Sequence, residues 1–193
     1  MSDYNEIHRF LSERNHAFTA IHCRAVAEQA RALALRFGVD ADKAYAAGLL
    51  HDISAVIPNA ERLARARAWG IDILPEERIA PMILHQKLSA IMAQRQFGVE
   101  DAGVLSAIGC HTTLKPDASP LDKVVFVADK IAWDRPGEPP WRDELTRALD
   151  VSLDAAALAY LDYLWERREQ LWVIHPWFVA ARAQIQRHLR VNS

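Results

Sequence analysis

Apolar and polar positions along this chain repeat with the period of helices. Residues 3–13 form a short amphipathic stretch, and a longer one, capped in this reading by Asn15, runs to Phe37 and is closed by Gly38 in the C′ position. On its inner stripe His22, Val26, Gln29 and Leu33 follow steps of four, three and four, so His22 lies on or beside the packed face. Asp40 or Asp42 opens a third helix that ends in the apolar run before His51 and Asp52, and Pro58 marks the exit. Residues 61–69 give another helix, closed by Gly70, whose Arg62, Arg65 and Arg67 read as a solvated face. Pro75 and Pro81 break the next region, and a helix starting near Ile83 carries His85, Leu88, Ser89 and Met92 to Phe97 before Gly98. Asp101 or Gly103 begins a short helix ending at His111 against a loop. The β-branched run of residues 124–127 has the composition of a strand. However, Ser119-Pro-Leu-Asp122 supplies an N-cap, an N1 proline and a capping-box acid, and the spacing of Leu121, Val125 and Ala128 predicts a helix with Asp129 at its apolar edge. Beyond a short loop at residues 136–140, helices over 152–172 and from Pro176 to about Leu189 buttress the core.

Composition narrows the picture. With 193 residues, 51% hydrophobic, 25% charged and only 7 Gly, the chain reads as an all-α, single-domain helical bundle with enough length to bury a sizeable core. A formal net charge of −2 argues against a general nucleic-acid binder, though it permits a local basic pocket for a phosphorylated small molecule. No apolar run reaches the eighteen or so residues of a membrane span, and Ser2-Asp-Tyr-Asn-Glu6 lacks the layout of a signal peptide, so no membrane partner and a cytoplasmic location are expected. Cys23 and Cys110 are too few for a disulfide framework and are expected to be reduced. Six tryptophans, four of them between Trp141 and Trp177, read as packing anchors; Trp133 has the alternative of stacking on a purine.

The chemistry concentrates at Gly48-Leu-Leu-His-Asp52. An unpaired buried carboxylate costs several kcal/mol, so Asp52 at the end of an apolar run needs a partner. Gly48 costs a helix about 1 kcal/mol against Ala, which predicts another backbone passing close by. A His hydrogen-bonded to its own Asp is the plain alternative for this dipeptide, and a lone His on a packed face is ordinarily a satisfied core residue. The joint pattern argues otherwise: His22, His51 with Asp52, His85, His111 and Asp129 sit on successive helices, each at the edge of an apolar face, and helical bundles build metal sites from such inward-facing residues.

This ordered set, with the phrases Gly48-Leu-Leu-His-Asp52, Ile108-Gly-Cys-His-Thr-Thr113, Phe126-Val-Ala-Asp-Lys130 and Ile174-His-Pro176, resembles the HD-domain phosphohydrolases, and specifically the YqeK-type symmetrical bis(5′-nucleosyl)-tetraphosphatases. The resemblance spans about residues 22–189. It implies an N-terminal helical extension over residues 1–14 and an HD-type phosphohydrolase domain over 15–193, with the metal site between the central helices. It further implies that His22, His51, Asp52 and Asp129 hold one ion, that His85 and His111 hold a second, and that Asp52 bridges the two as the catalytic carboxylate. The cofactors are then two divalent transition-metal ions, iron first, with manganese, cobalt, nickel or zinc also suited to nitrogen and oxygen ligands. The implied reaction is cleavage of a dinucleoside tetraphosphate, such as diadenosine tetraphosphate, into two nucleoside diphosphates by a metal-bound hydroxide. The partner is a nucleoside polyphosphate, and the pattern leaves room for a homodimer. One departure weakens the tetraphosphatase assignment: family members often continue His-Asp-x-x-Lys, whereas Ala55 stands at the lysine's place here. Lys115 and Arg135 are the candidate phosphate binders, Arg135 preferred. The alternatives are hydrolysis of another nucleotide or phosphoester, or a catalytically weak metal- or nucleotide-binding regulator. His175 reads as a structural anchor or a donor to a ligand.

Overall fold

A computed structural model describes residues 3–134 and 136–191. Eleven α-helices order them, with no strand among the described residues: α1 Tyr4–Ser12, α2 Ala17–Phe37, α3 Ala41–Leu50, α4 Asn59–Ala68, α5 Pro75–Ile79, α6 His85–Phe97, α7 Ala102–Cys110, α8 Pro120–Ile131, α9 Arg142–Leu149, α10 Leu153–Glu166 and α11 Pro176–Val191. Short 3-10 turns at Ile53–Val56, Pro81–Leu84 and Arg168–Gln170 complete the helical chain.

The predicted punctuation operates locally. Asp40 caps α3 by accepting from Asp42 N–H (3.1 Å) and Lys43 N–H (3.0 Å), and Asp101 caps α7 through Val104 N–H (2.9 Å). Ser119 and Asp122 form the reciprocal capping box of α8, Ser119 Oγ accepting from Asp122 N–H (3.1 Å) and Asp122 Oδ2 from Ser119 N–H (2.8 Å). Gly38 and Gly98 end α2 and α6 in the left-handed conformation at φ 68° and 64°. Asn15 does not cap α2. It adopts φ 63° at the exit from α1, a conformation Asn tolerates, and His16 occupies the cap position without a side-chain bond. Two helices also differ in extent from expectation: α4 spans Asn59–Ala68, and α10 stops at Glu166, with the 3-10 turn Arg168–Gln170 beyond it.

The core forms around α2, α3 and α8, which pack on one another. In α8, Val124, Val125, Phe126, Val127 and Ala128 are all fully buried, so the β-branched run belongs to a helix enclosed on every side. Each such Val or Phe contributes about 1.5–3 kcal/mol relative to an exposed side chain. Gly48 is the close approach its sequence context predicts: a Cβ there would lie 2.6 Å from the Ala27 Cα and 2.8 Å from the Ala27 nitrogen. This absence of a side chain sets α3 directly against α2, which carries His22 in its second turn, while α3 ends at His51. On the other side α6 and α7 pack together and α10 covers α8. No described helix is long and apolar enough to cross a membrane.

Candidate metal centre

The six side chains singled out above converge in space. His22 comes from α2, His51 from the C-cap of α3, Asp52 from the start of the following 3-10 turn, His85 from the first residue of α6, His111 from the C-cap of α7, and Asp129 from the last turns of α8. His22 Nε2 lies 3.2 Å from Asp129 Oδ1, and His51 Nε2 is 3.6 Å from the same oxygen. The two Asp52 oxygens face different imidazoles. Oδ2 is 3.8 Å from His51 Nε2, while Oδ1 is 3.4 Å from His85 Nε2 and 3.6 Å from His111 Nε2. His22, His51 and Asp129 form one group whose ligand atoms lie within 4.8 Å of one another, and His51, Asp52 and His111 form a second.

Backbone carbonyls set the tautomers. The Nδ1–H of His51 donates to Gly48 O (2.8 Å), that of His85 to Met82 O (2.6 Å) and that of His111 to Ile108 O (2.8 Å), each to the residue three before it. This leaves three Nε2 lone pairs pointing inward, the arrangement found where imidazole ligates metal. Among the described residues His51 Nε2 and His22 Nδ1 are buried without a hydrogen-bond partner, and His85 Nε2 stands 3.0 Å from His111 Nε2. Lone pairs turned on one another in a buried space repel unless a proton or a cation lies between them, so the donor set fits divalent ions.

The electrostatics are those of strongly coupled groups: burial disfavours the His51 cation, but Asp52, Cys23 and Asp129 raise this imidazole well above its ordinary value, so positive charge, from a proton or a metal ion, is favoured at its nitrogen. Burial pushes the Asp52 carboxyl up, but His51, His85 and His111 outweigh it and hold it down at about 2. Burial likewise opposes ionisation of Asp129, which Lys130, His22 and His51 nevertheless hold well below the usual carboxylate range. Burial keeps His85 below and His111 well below the ordinary imidazole value, so both present neutral nitrogens near pH 7.

Supporting residues are tied to this centre from long range. Ser54, two residues after Asp52, accepts at Oγ from Ser89 Oγ (2.9 Å) and donates to His85 O (2.8 Å), locking the Asp52 turn to α6. The buried Gln86 Oε1 accepts from Thr112 N–H (3.1 Å) and Thr113 N–H (3.3 Å), fixing the backbone that follows His111. Lys130 is a buried cation whose Nζ donates to Asp129 Oδ2 (2.5 Å) and His111 O (3.2 Å). The sequence flagged Lys130 only within a motif; its signal is a lysine one residue beyond a candidate ligand at the end of an apolar helix. A cleft of about 250 Å³ opens over the centre, lined by His22, Asp52, Asp129 and Lys130 and walled by Trp133, Trp141 and Tyr160. Trp141 stacks edge-on against Trp133 (5.2 Å) and Tyr160 (5.0 Å) and donates its Nε1–H to Lys130 O (3.1 Å).

Other expectations resolve differently. Lys115 does not join the cleft: its Nζ donates to Ser106 Oγ (2.7 Å), lies 3.6 Å from Asp122 Oδ2 and lines two other cavities, because Asp122, buried at the start of α8, captures the lysine. Arg135 lies outside the described residues. Arg62 is half-buried rather than part of a solvated face, its Nε and Nη1 donating to Ile57 O (3.2 Å) and Met82 O (2.9 Å). Cys23 and Cys110 are free and buried; burial raises both thiols, Cys110 strongly, which makes them poor nucleophiles. His175 is an anchor, its Nε2 3.4 Å from the buried Glu77 carboxylate.

Comparison with known proteins agrees with this geometry. Residues 19–134 match the HD domain family model. The chain is 44% identical over 151 residues to a protein from the pepC 5′ region of Lactococcus lactis subsp. cremoris, covering 78% of this chain and 76% of that one. It is 34% identical over 143 residues to the symmetrical bis(5′-nucleosyl)-tetraphosphatase of Bacillus subtilis strain 168, covering 72% and 73% of the two chains. The crystal structure of an HD superfamily hydrolase from Clostridium acetobutylicum, described as involved in NAD metabolism, superposes with a TM-score of 0.88 at 28% identity, over 97% of this chain and 99% of that one. A matching family model over most of the chain, relatives at these identities and a shared all-helical fold together place this protein in the HD domain family, as a hydrolase related to the symmetrical bis(5′-nucleosyl)-tetraphosphatases.

Proposed function

We propose that the protein hydrolyses a dinucleoside tetraphosphate, most concretely diadenosine tetraphosphate, symmetrically into two nucleoside diphosphates. The observation that carries this reading is the division of the Asp52 carboxylate between two sets of imidazoles, Oδ2 toward His51 and Oδ1 toward His85 and His111. A carboxylate so placed suits a bridge between two cations. His22, His51, Asp52 and Asp129 would hold one ion and Asp52, His85 and His111 the other, with iron first and manganese, cobalt, nickel or zinc compatible with the same donors. Bound there, such ions would supply acidification of water and neutralisation of phosphoryl charge.

The chain's own residues supply position and field. Asp52 and Asp129 remain ionised at neutral pH, and with divalent ions bound their charge would be outweighed by those ions together with Lys130, which would favour a polyanionic substrate. The carbonyl-anchored imidazoles present their lone pairs without rotation, so little reorganisation is needed when ions bind. The wall of Trp133, Trp141 and Tyr160 offers an aromatic surface beside the charged floor, suited to a nucleobase attached to a phosphate chain.

Ala55 favours a second reading, hydrolysis of another nucleotide or phosphoester, because its methyl gives a phosphate nothing to bind. Product analysis on diadenosine tetraphosphate with anaerobically metal-loaded protein separates the two. Two molecules of adenosine diphosphate per substrate are expected; adenosine monophosphate with triphosphate, or no turnover, would overturn the first reading.

A further inference from the structure

Arg62, Arg65 and Arg67 lie together on the ten-residue helix α4, yet only Arg62 turns inward. Its Nε–H donates to the carbonyl of Ile57, the residue that closes the 3-10 turn carrying Ala55. Its Nη1–H donates to the carbonyl of Met82, which also accepts the Nδ1–H of His85 at 2.6 Å. The guanidinium is thus one shared acceptor away from a candidate metal ligand and is anchored to the turn that follows Asp52. Both partners are neutral carbonyls, and among the described residues no carboxylate lies within ion-pairing distance of Arg62. Two of the fork's five N–H donors are used, so three stay available. The field of the site reaches it: burial disfavours the Arg62 cation while the Asp52 carboxylate favours it.

We infer that Arg62, anchored beside the turn that follows Asp52 and the carbonyl that holds His85, supplies the phosphate-binding cation that position 55 lacks. A planar fork fixed by two carbonyls is preorganised for bidentate contact with phosphate, whereas a lysine from position 55 would bring a point charge to the same turn. This inference rests on the reading of the site as a phosphoester site and names the residue that serves it.

The test is equilibrium binding of inorganic pyrophosphate to metal-loaded protein, with bound metal counted in the same samples. Arg62→Gln is expected to weaken pyrophosphate binding about ten- to a hundredfold at unchanged metal content. Arg62→Lys, a point charge without the fork, should keep only part of the affinity, and Ala55→Lys placed in the Arg62→Gln background should recover binding to a similar extent. Unchanged affinity in Arg62→Gln would overturn the inference. So would loss of bound metal, which would make Arg62 a prop for His85 through Met82, or a failure of Ala55→Lys to restore binding. Because binding is read without turnover, a wild-type protein that binds pyrophosphate but leaves diadenosine tetraphosphate intact sinks only the substrate reading.

Discussion

Gly48→Ala probes how the fold holds the site. The added Cβ would meet the Ala27 Cα at 2.6 Å, where ordinary van der Waals contact begins at 3.4 Å. The obstructing atoms are backbone, so no side chain can swing aside, and α2 and α3 must part by roughly 0.8 Å. Overpacking of this kind costs about 1–3 kcal/mol, and the better helix propensity of Ala returns about 1 kcal/mol. With rigid backbone on both sides the high end applies, for a net loss of about 2 kcal/mol and a fall in Tm of about 4–8 °C. The functional effect is larger in proportion. His22 sits on α2 five residues before Ala27, and His51 follows Gly48 by three on α3, so parting the helices spreads the group that His22, His51 and Asp129 form. Misplacement approaching 1 Å costs on the order of a hundredfold in activity. Thermal unfolding, metal content by elemental analysis and kcat on diadenosine tetraphosphate read these effects separately. A variant as stable as wild type, with full metal and full kcat, would refute the view that the glycine contact sets the spacing of the ligands.

Asp52→Ala should lose bound metal and lower turnover by at least about a hundredfold, as elemental analysis and product assays would show; full activity would reject the bridging role. Trp133→Ala should raise KM for the dinucleotide about tenfold while kcat and pyrophosphate binding hold, consistent with stacking; an unchanged KM would assign the ring to packing alone. Glu77→Ala should destabilise the fold by about 3–5 kcal/mol in chemical denaturation, because the buried carboxylate accepts from Lys87 Nζ (2.8 Å) and Leu74 N–H (2.9 Å) and meets His175. Burial opposes ionisation of Glu77, but His175 and Lys87 hold it below its ordinary value near 4.5. The folded state therefore binds fewer protons than the unfolded one as the pH drops below about 4.5. The stabilisation is complete above that pH and is lost on descent through the folded value, so denaturation midpoints of wild type should fall there more steeply than those of Glu77→Gln.

Much of this arrangement was written locally in the chain. Caps at Asp40, Asp101 and Ser119, and glycines at 38 and 98, act within a few residues, so the boundaries they set could be read without knowing the fold. The candidate ligands were legible because each breaks an apolar face, and burying several such groups makes sense only if they meet. Residues whose roles depend on distant partners were not legible. Lys115 in its loop and Arg62 among its neighbouring arginines both look like solvated cations; one is captured by Asp122 and the other reaches Met82, twenty residues on. Glu77 and His175 are 98 residues apart, and no periodicity records their contact. Asn15 satisfied the rules for a helix cap and for a left-handed turn alike, and the exit of α1 decided between them.

The most direct test of the central claim is the number of transition-metal ions retained per chain after anaerobic loading with iron or manganese and removal of free ions. Convergent Nε2 lone pairs and a divided Asp52 carboxylate predict two. A chain that is folded and retains none would contradict the account.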